Sequence, residues 1–123
     1  MTILTNLGEK ESLGVRRRKF LFTCKGIVPP QEIPSKGRMI IYCAGMTPAR
    51  PERLDAYPFM GKGGHGVTAF FPLTESWLMW DDYTDLGETE ITISTCLPER
   101  FCVNAMVNLL NKEIGETQYK GCL

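Results

Sequence analysis

Apolar and polar residues alternate with a period of two in several stretches of the chain. In Glu88–Thr95, Ile91, Ile93 and Thr95 fall on one side, and Glu90, Thr92 and Ser94 on the other. That pattern predicts a half-buried strand. Phe20–Cys24 alternates the same way, with Phe20, Phe22 and Cys24 on one face. Val67–Leu73 is a strand rich in branched and aromatic residues, and Pro72 places its end at an edge or a bulge. Ser76–Trp80 reads as a short extended piece, and Gln118–Leu123 as a last short strand or a loose tail.

Helical spacing appears twice. Ser35 caps a predicted short helix over Lys36–Ala44, where Met39, Ile40 and Cys43 share a face; Gly37 weakens it and Gly45 ends it. The stronger helix runs over Pro98–Ile114, with Phe101, Cys102, Ala105, Met106, Leu109, Leu110 and Glu113 at spacings of three and four. Pro98 suits its first turn, Glu99 the positive end of its dipole, and Asn104, Asn108 and Asn111 face water. Gly26–Pro34 reads as a loop around Pro29-Pro30, and Met46–Met60, with Pro48, Pro51 and Pro58, as an irregular edge or crossing segment. Gly61–Gly66 is a glycine-rich turn without a phosphate-loop or dinucleotide pattern. The order predicts an α+β fold, a two-layer α/β sandwich with a largely antiparallel sheet, in a single domain over 16–123 preceded by an arm over 1–15. One sheet face meets the helices. The other is left for solvent, ligand or a second subunit.

Composition narrows the class. At 123 residues with 43% hydrophobic and 23% charged side chains, the chain supports one core. Its apolar runs are too short to span a bilayer, and its start lacks a basic flank before an apolar core, so a cytoplasmic, non-membrane protein is expected. Five cysteines without framework spacing imply free thiols, and a single histidine argues against a metal site. Residues 1–62 carry a net +6 and residues 63–123 a net −6. This split suits a homo-oligomer or a substrate of mixed charge, and equally a fold whose halves neutralise each other. The run Arg16-Arg17-Arg18-Lys19 has no interleaved aromatics or second basic cluster, so nucleic acid is disfavoured.

Candidate chemistry gathers in Gly66–Cys96. It holds Glu75-Ser76, Trp77, Trp80, an acidic corner (Asp81, Asp82, Asp85, Glu88, Glu90) and Thr95-Cys96. A serine hydroxyl on a strained backbone, with a base beside it, attacks the preceding carbonyl; the resulting ester can leave a ketone at a new N-terminus. A thiol nearby then serves as acid–base group in the product step. Ser76, Asp81 and Cys96 are expected to line one pocket.

This segment resembles the small prokaryotic S-adenosylmethionine decarboxylases, whose hallmark is Glu-Ser-His, a His-Thr-Trp-Pro-Glu stretch, and a strand ending in Thr-Cys. Glu75-Ser76 matches the self-cleavage pair, and Thr95-Cys96 follows Ser76 by 19 and 20 residues. Thr68 falls at a processing serine and Asp85 at the family glutamate. Ala44-Gly45-Met46-Thr47 resembles the end of the first family helix. Trp77 replaces the histidine after the serine, Asp81 stands at the processing histidine, and Tyr83-Thr84 replaces Trp-Pro.

The resemblance implies an S-adenosylmethionine decarboxylase-like fold and a dimer. It implies a pyruvoyl group made from Ser76 if the chain is processed, and otherwise no cofactor. Cys96 becomes the proton donor, with Glu75, Asp81 and Thr68 in processing. Trp77, Trp80 or Phe59 stack on adenine or face the sulfonium, and Asp85 lies in the ligand site. Two other readings stand beside it. One is an unprocessed homologue that binds an adenosyl compound or acts on it as a lyase. The other is a small interaction or inhibitor protein with a protein partner.

Overall fold

The computed structural model describes residues 17–59, 64–74 and 76–123. The predicted arm over 1–15, Arg16, Met60 and the first half of the glycine-rich turn (61–63) lie outside the described residues. Strand β1 (Arg18–Lys25) leads through a turn at Pro30–Glu32 into helix α1 (Ile33–Cys43). Four strands follow: β2 (Arg53–Phe59), β3 (Gly64–Leu73), β4 (Ser76–Tyr83) and β5 (Glu88–Thr95). A short turn at Pro98–Arg100 precedes helix α2 (Val103–Glu113), and β6 (Thr117–Cys122) closes the order.

The six described strands form one sheet in the order β2-β3-β4-β5-β1-β6, with every neighbouring pair antiparallel. Pro58 sits in β2, an edge strand, where a missing N–H costs no ladder bond. This is the mixed α+β architecture that the alternation predicts.

Side-chain alternation sorts the sheet into two faces. Phe20, Phe22 and Cys24 of β1, Ile91 and Ile93 of β5, Leu78 and Trp80 of β4, and Ala69 and Phe71 of β3 are buried together. Both helices pack on this face. α1 buries Ile33, Gly37, Ile40 and Ile41, and α2 buries Met106 and Leu110. Lys36 and Glu113 join the two helices at 2.9 Å. Gly37 lies flat on the Phe71 ring, in a space that a Cβ would have to share with the ring itself. The end of β1 and the end of α2 are equally close: a Cβ on Gly115 would strike the carbonyl oxygen of Lys25, and Gly115 holds a positive φ of 159°.

Helix boundaries depart from the sequence expectation. α1 starts at Ile33, because Pro34 fits a first turn, where a missing N–H is no loss. Its buried face is Ile33, Gly37, Ile40 and Ile41; Met39 and Cys43 are exposed. α2 starts only at Val103, since Phe101 is extended and stacks on Phe20 at 4.3 Å between ring centroids. Cys102 and Ala105, expected inside, face solvent. The three asparagines do face solvent, and Asn111 accepts a bond from the Thr117 backbone N–H at 2.8 Å.

Candidate functional site

The β4–β5 pairing sets Trp77 opposite Ser94, which brings the first residue of β4, Ser76, alongside the last of β5, Thr95. After Thr95 the chain bends: the Thr95 hydroxyl accepts the Leu97 N–H at 3.0 Å. That bend takes Cys96 out of the polar-face phase that alternation predicts for it. Ser76 and Cys96 thereby line one cavity of about 390 Å³ on the helix side of the sheet end. Ala44–Thr47, just after α1, supply a second wall, and Arg100 and Phe101, just before α2, a third. Thr47 and Thr74 add hydroxyls, and Met46, Leu97 and Phe101 add apolar surface.

Arg100 is the cavity's only charged side chain among the described residues. Among the described residues the lining combines one guanidinium and several hydroxyls with no carboxylate, which leaves it net positive. Sequence does not mark Arg100, since on a continuous helix over Pro98–Ile114 it is one more surface cation. Thr47 and Thr74 had no motif to mark them.

Asp81 does not join Ser76. Five positions along one strand is an odd step, so the two side chains leave opposite faces of the sheet. Asp81 stands on the open face, where it accepts the Thr68 hydroxyl at 2.9 Å and pairs across the ladder with Glu90. The expected common pocket for Ser76, Asp81 and Cys96 is therefore corrected: it holds Ser76 and Cys96, and Thr68 and Asp81 form a separate pair behind it. Partial burial, and then the Asp81 charge, raise the Glu90 carboxyl above its ordinary range.

The tryptophans separate by the same parity. Trp80 is fully buried in the core, so its expected contact with a ligand is overturned. Trp77 lies on the open face, 6.4 Å from Phe70 by ring centroids and with the Lys19 ammonium 5.8 Å from its ring. Asp85 is exposed in the turn after β4, where it accepts the His65 backbone N–H at 3.2 Å, with the imidazole Nδ1 at 3.6 Å. It stands on β3's opposite end from the cavity. Glu75 and the Phe59 side chain lie outside the described residues.

Asp82 faces inward, 1% exposed, with the Thr84 hydroxyl donating to it at 3.2 Å. Burial raises its pKa, and the Thr84 bond offsets this in part. The folded state therefore holds this proton more tightly than the unfolded chain does. The ionised carboxylate costs stability above the raised value, and the cost disappears as pH falls through that value toward the ordinary aspartate range. Asp82→Asn keeps the acceptor for Thr84 and removes the charge. Its stability at pH 7 is expected to rise by roughly 1 kcal/mol, with the gain vanishing toward pH 4; urea melts at the two pH values measure both.

The open face carries a second hollow, of about 280 Å³, near the β1–β6 edge, bordered by Lys25, Lys120, Glu88 and Glu90. No group of three or more histidine, cysteine, aspartate or glutamate side chains among the described residues is placed to hold a metal ion. No described helix is long and apolar enough to cross a membrane. Comparison with family models and with curated proteins returns no match.

Proposed function

We propose that the chain is an uncleaved, S-adenosylmethionine decarboxylase-like protein that binds an adenosyl sulfonium compound in the Ser76–Cys96 cavity. The observation that carries this reading is the convergence of Ser76, Cys96 and Arg100 on one cavity of about 390 Å³. Arg100 would take the ligand's carboxylate as a charge-assisted pair. Met46, Leu97 and Phe101 would cover its apolar body. The Cys96 thiol would give or take a proton at the bound molecule.

One requirement of pyruvoyl formation has no candidate among the described residues of the cavity. That chemistry needs a base beside the serine hydroxyl. Among the described residues the cavity offers no imidazole and no carboxylate, and the replacement expected at Asp81 faces the other way. The favoured reading is thus the unprocessed one, and Ser76 acts as a hydroxyl ligand. The homo-oligomer expected from the charge split has its best surface on the open sheet face. There the basic Arg17 and Lys19 and the acidic cross-strand pair Asp81 and Glu90 would meet their opposites in a two-fold pair.

Two measurements test the proposal. Intact mass of fresh protein is expected to give one species of 13.9 kDa; two fragments split at Glu75–Ser76 would restore the processed reading. Calorimetric titration with S-adenosylmethionine is expected to give saturable heat at one site per chain. Arg100→Ala should weaken that binding about tenfold, in line with loss of one charged hydrogen bond. Absence of heat with the unaltered protein overturns the ligand assignment.

A further inference from the structure

Two exposed thiols stand at the cavity's shoulders. Cys43 is the last residue of α1, and the next residues, Ala44–Thr47, are one wall. Cys102 caps α2, and the residues before it, Arg100 and Phe101, are the facing wall. Both cysteines are free and exposed. The helices run antiparallel: the Lys36–Glu113 pair ties the start of α1 to the end of α2, which leaves the end of α1 beside the start of α2.

We propose that Cys43 and Cys102 form a reversible disulfide that ties these two walls together and narrows the mouth over Cys96. Partial burial, and then the nearby Cys102, raise the Cys43 thiol above its ordinary pKa, so Cys43 serves as the resolving partner rather than the first to be oxidised. Bridging requires Cα atoms within about 4.4–6.8 Å. Helix ends, unlike helix middles, can shift to meet that requirement because their last turns fray.

The oxidant is a peroxide. One thiolate attacks a peroxide oxygen of hydrogen peroxide and becomes a sulfenic acid, while the O–O bond breaks and hydroxide leaves, taking a proton to become water. The second thiol displaces the sulfenic oxygen as another water, closing the S–S bond. Two thiols lose two electrons and two protons, and one peroxide is reduced to two waters. A dithiol reverses it by exchange. The bridge differs from cysteine pairing in a secreted scaffold because both partners are exposed and reducible.

The test needs no ligand, so it stands or falls apart from the adenosyl reading. Dilute, reduced protein is treated with hydrogen peroxide, and the monomer is digested and mapped. The expected result is a loss of two mass units assigned to a Cys43–Cys102 peptide pair. Alkylation of Cys96 by iodoacetamide should then slow at least tenfold, and dithiothreitol should restore it. Cys43→Ser and Cys102→Ser should each abolish both effects while Cys96 stays reactive. The proposal is overturned if all five thiols stay free, if the bridge maps to another pair, or if Cys96 alkylates equally fast in the bridged protein.

Discussion

Trp80→Ala is expected to lower stability by about 3–5 kcal/mol, the cost of emptying a large, fully enclosed site. That is a large share of the roughly 5–15 kcal/mol available to a domain. Trp80 is 0% exposed and lies in the middle strand row, between Ala69 of β3 and Ile91 of β5. Its neighbours belong to a continuous sheet, which limits collapse into the void. Trp80→Phe should cost far less. The indole Nε1 is buried with no hydrogen-bond partner, so phenylalanine forfeits no polar contact and relieves an unpaired donor. Denaturant melts of the two variants measure the contrast. Equal losses would mean that the indole nitrogen is satisfied after all. If Trp80→Phe kept its fold and lost ligand binding, the assignment of Trp80 to the core alone would be wrong.

Gly37→Ala is expected to destabilise the protein by about 2 kcal/mol, although alanine is the better helix former by about 1 kcal/mol. The added methyl would occupy the Phe71 ring's place. Phe71 is 2% exposed, so the ring cannot swing into solvent, and the core must deform instead. Overpacking of this kind costs about 1–3 kcal/mol. A second substitution, Phe71→Leu, should recover part of the loss in the Gly37→Ala background while harming the unaltered protein. That reversal of sign is what a double-mutant cycle reads. A gain in stability from Gly37→Ala alone would show that α1 rides higher on the sheet than described.

The periodic parts of the fold were legible before any coordinates. Phe20–Cys24, Val67–Leu73 and Glu88–Thr95 lie inside β1, β3 and β5, because a sheet with one packed face writes its period directly into the residues. In sequence Asp81-Asp82 looks like a turn, which ends the predicted strand at Trp80. In the fold Asp82 continues the inward row of Leu78 and Trp80, and the strand runs to Tyr83. Carrying the alternation two residues further would have put Asp81 on the face away from Ser76. Gly37 weakened the prediction of the very helix that needs it, because close packing against Phe71 leaves no trace in local propensity.

The site divides the same way. Ser76 and Cys96 could be brought together from sequence because they end adjacent antiparallel strands, where spacing determines register. Arg100 could not, since its place depends on Phe101 leaving helical geometry to stack on Phe20.

Strand β1 lies between β5 and β6, partners made long after it. Phe20 pairs with Ile93 on one side and Cys122 on the other. As the chain leaves the ribosome, this apolar ribbon must wait for most of the protein before either edge is matched, while β2 to β5 can zip as consecutive hairpins. Long-range pairing of this kind slows folding and exposes a sticky edge meanwhile. Among the described strands, the first in the chain thus waits for the last before both its edges are paired.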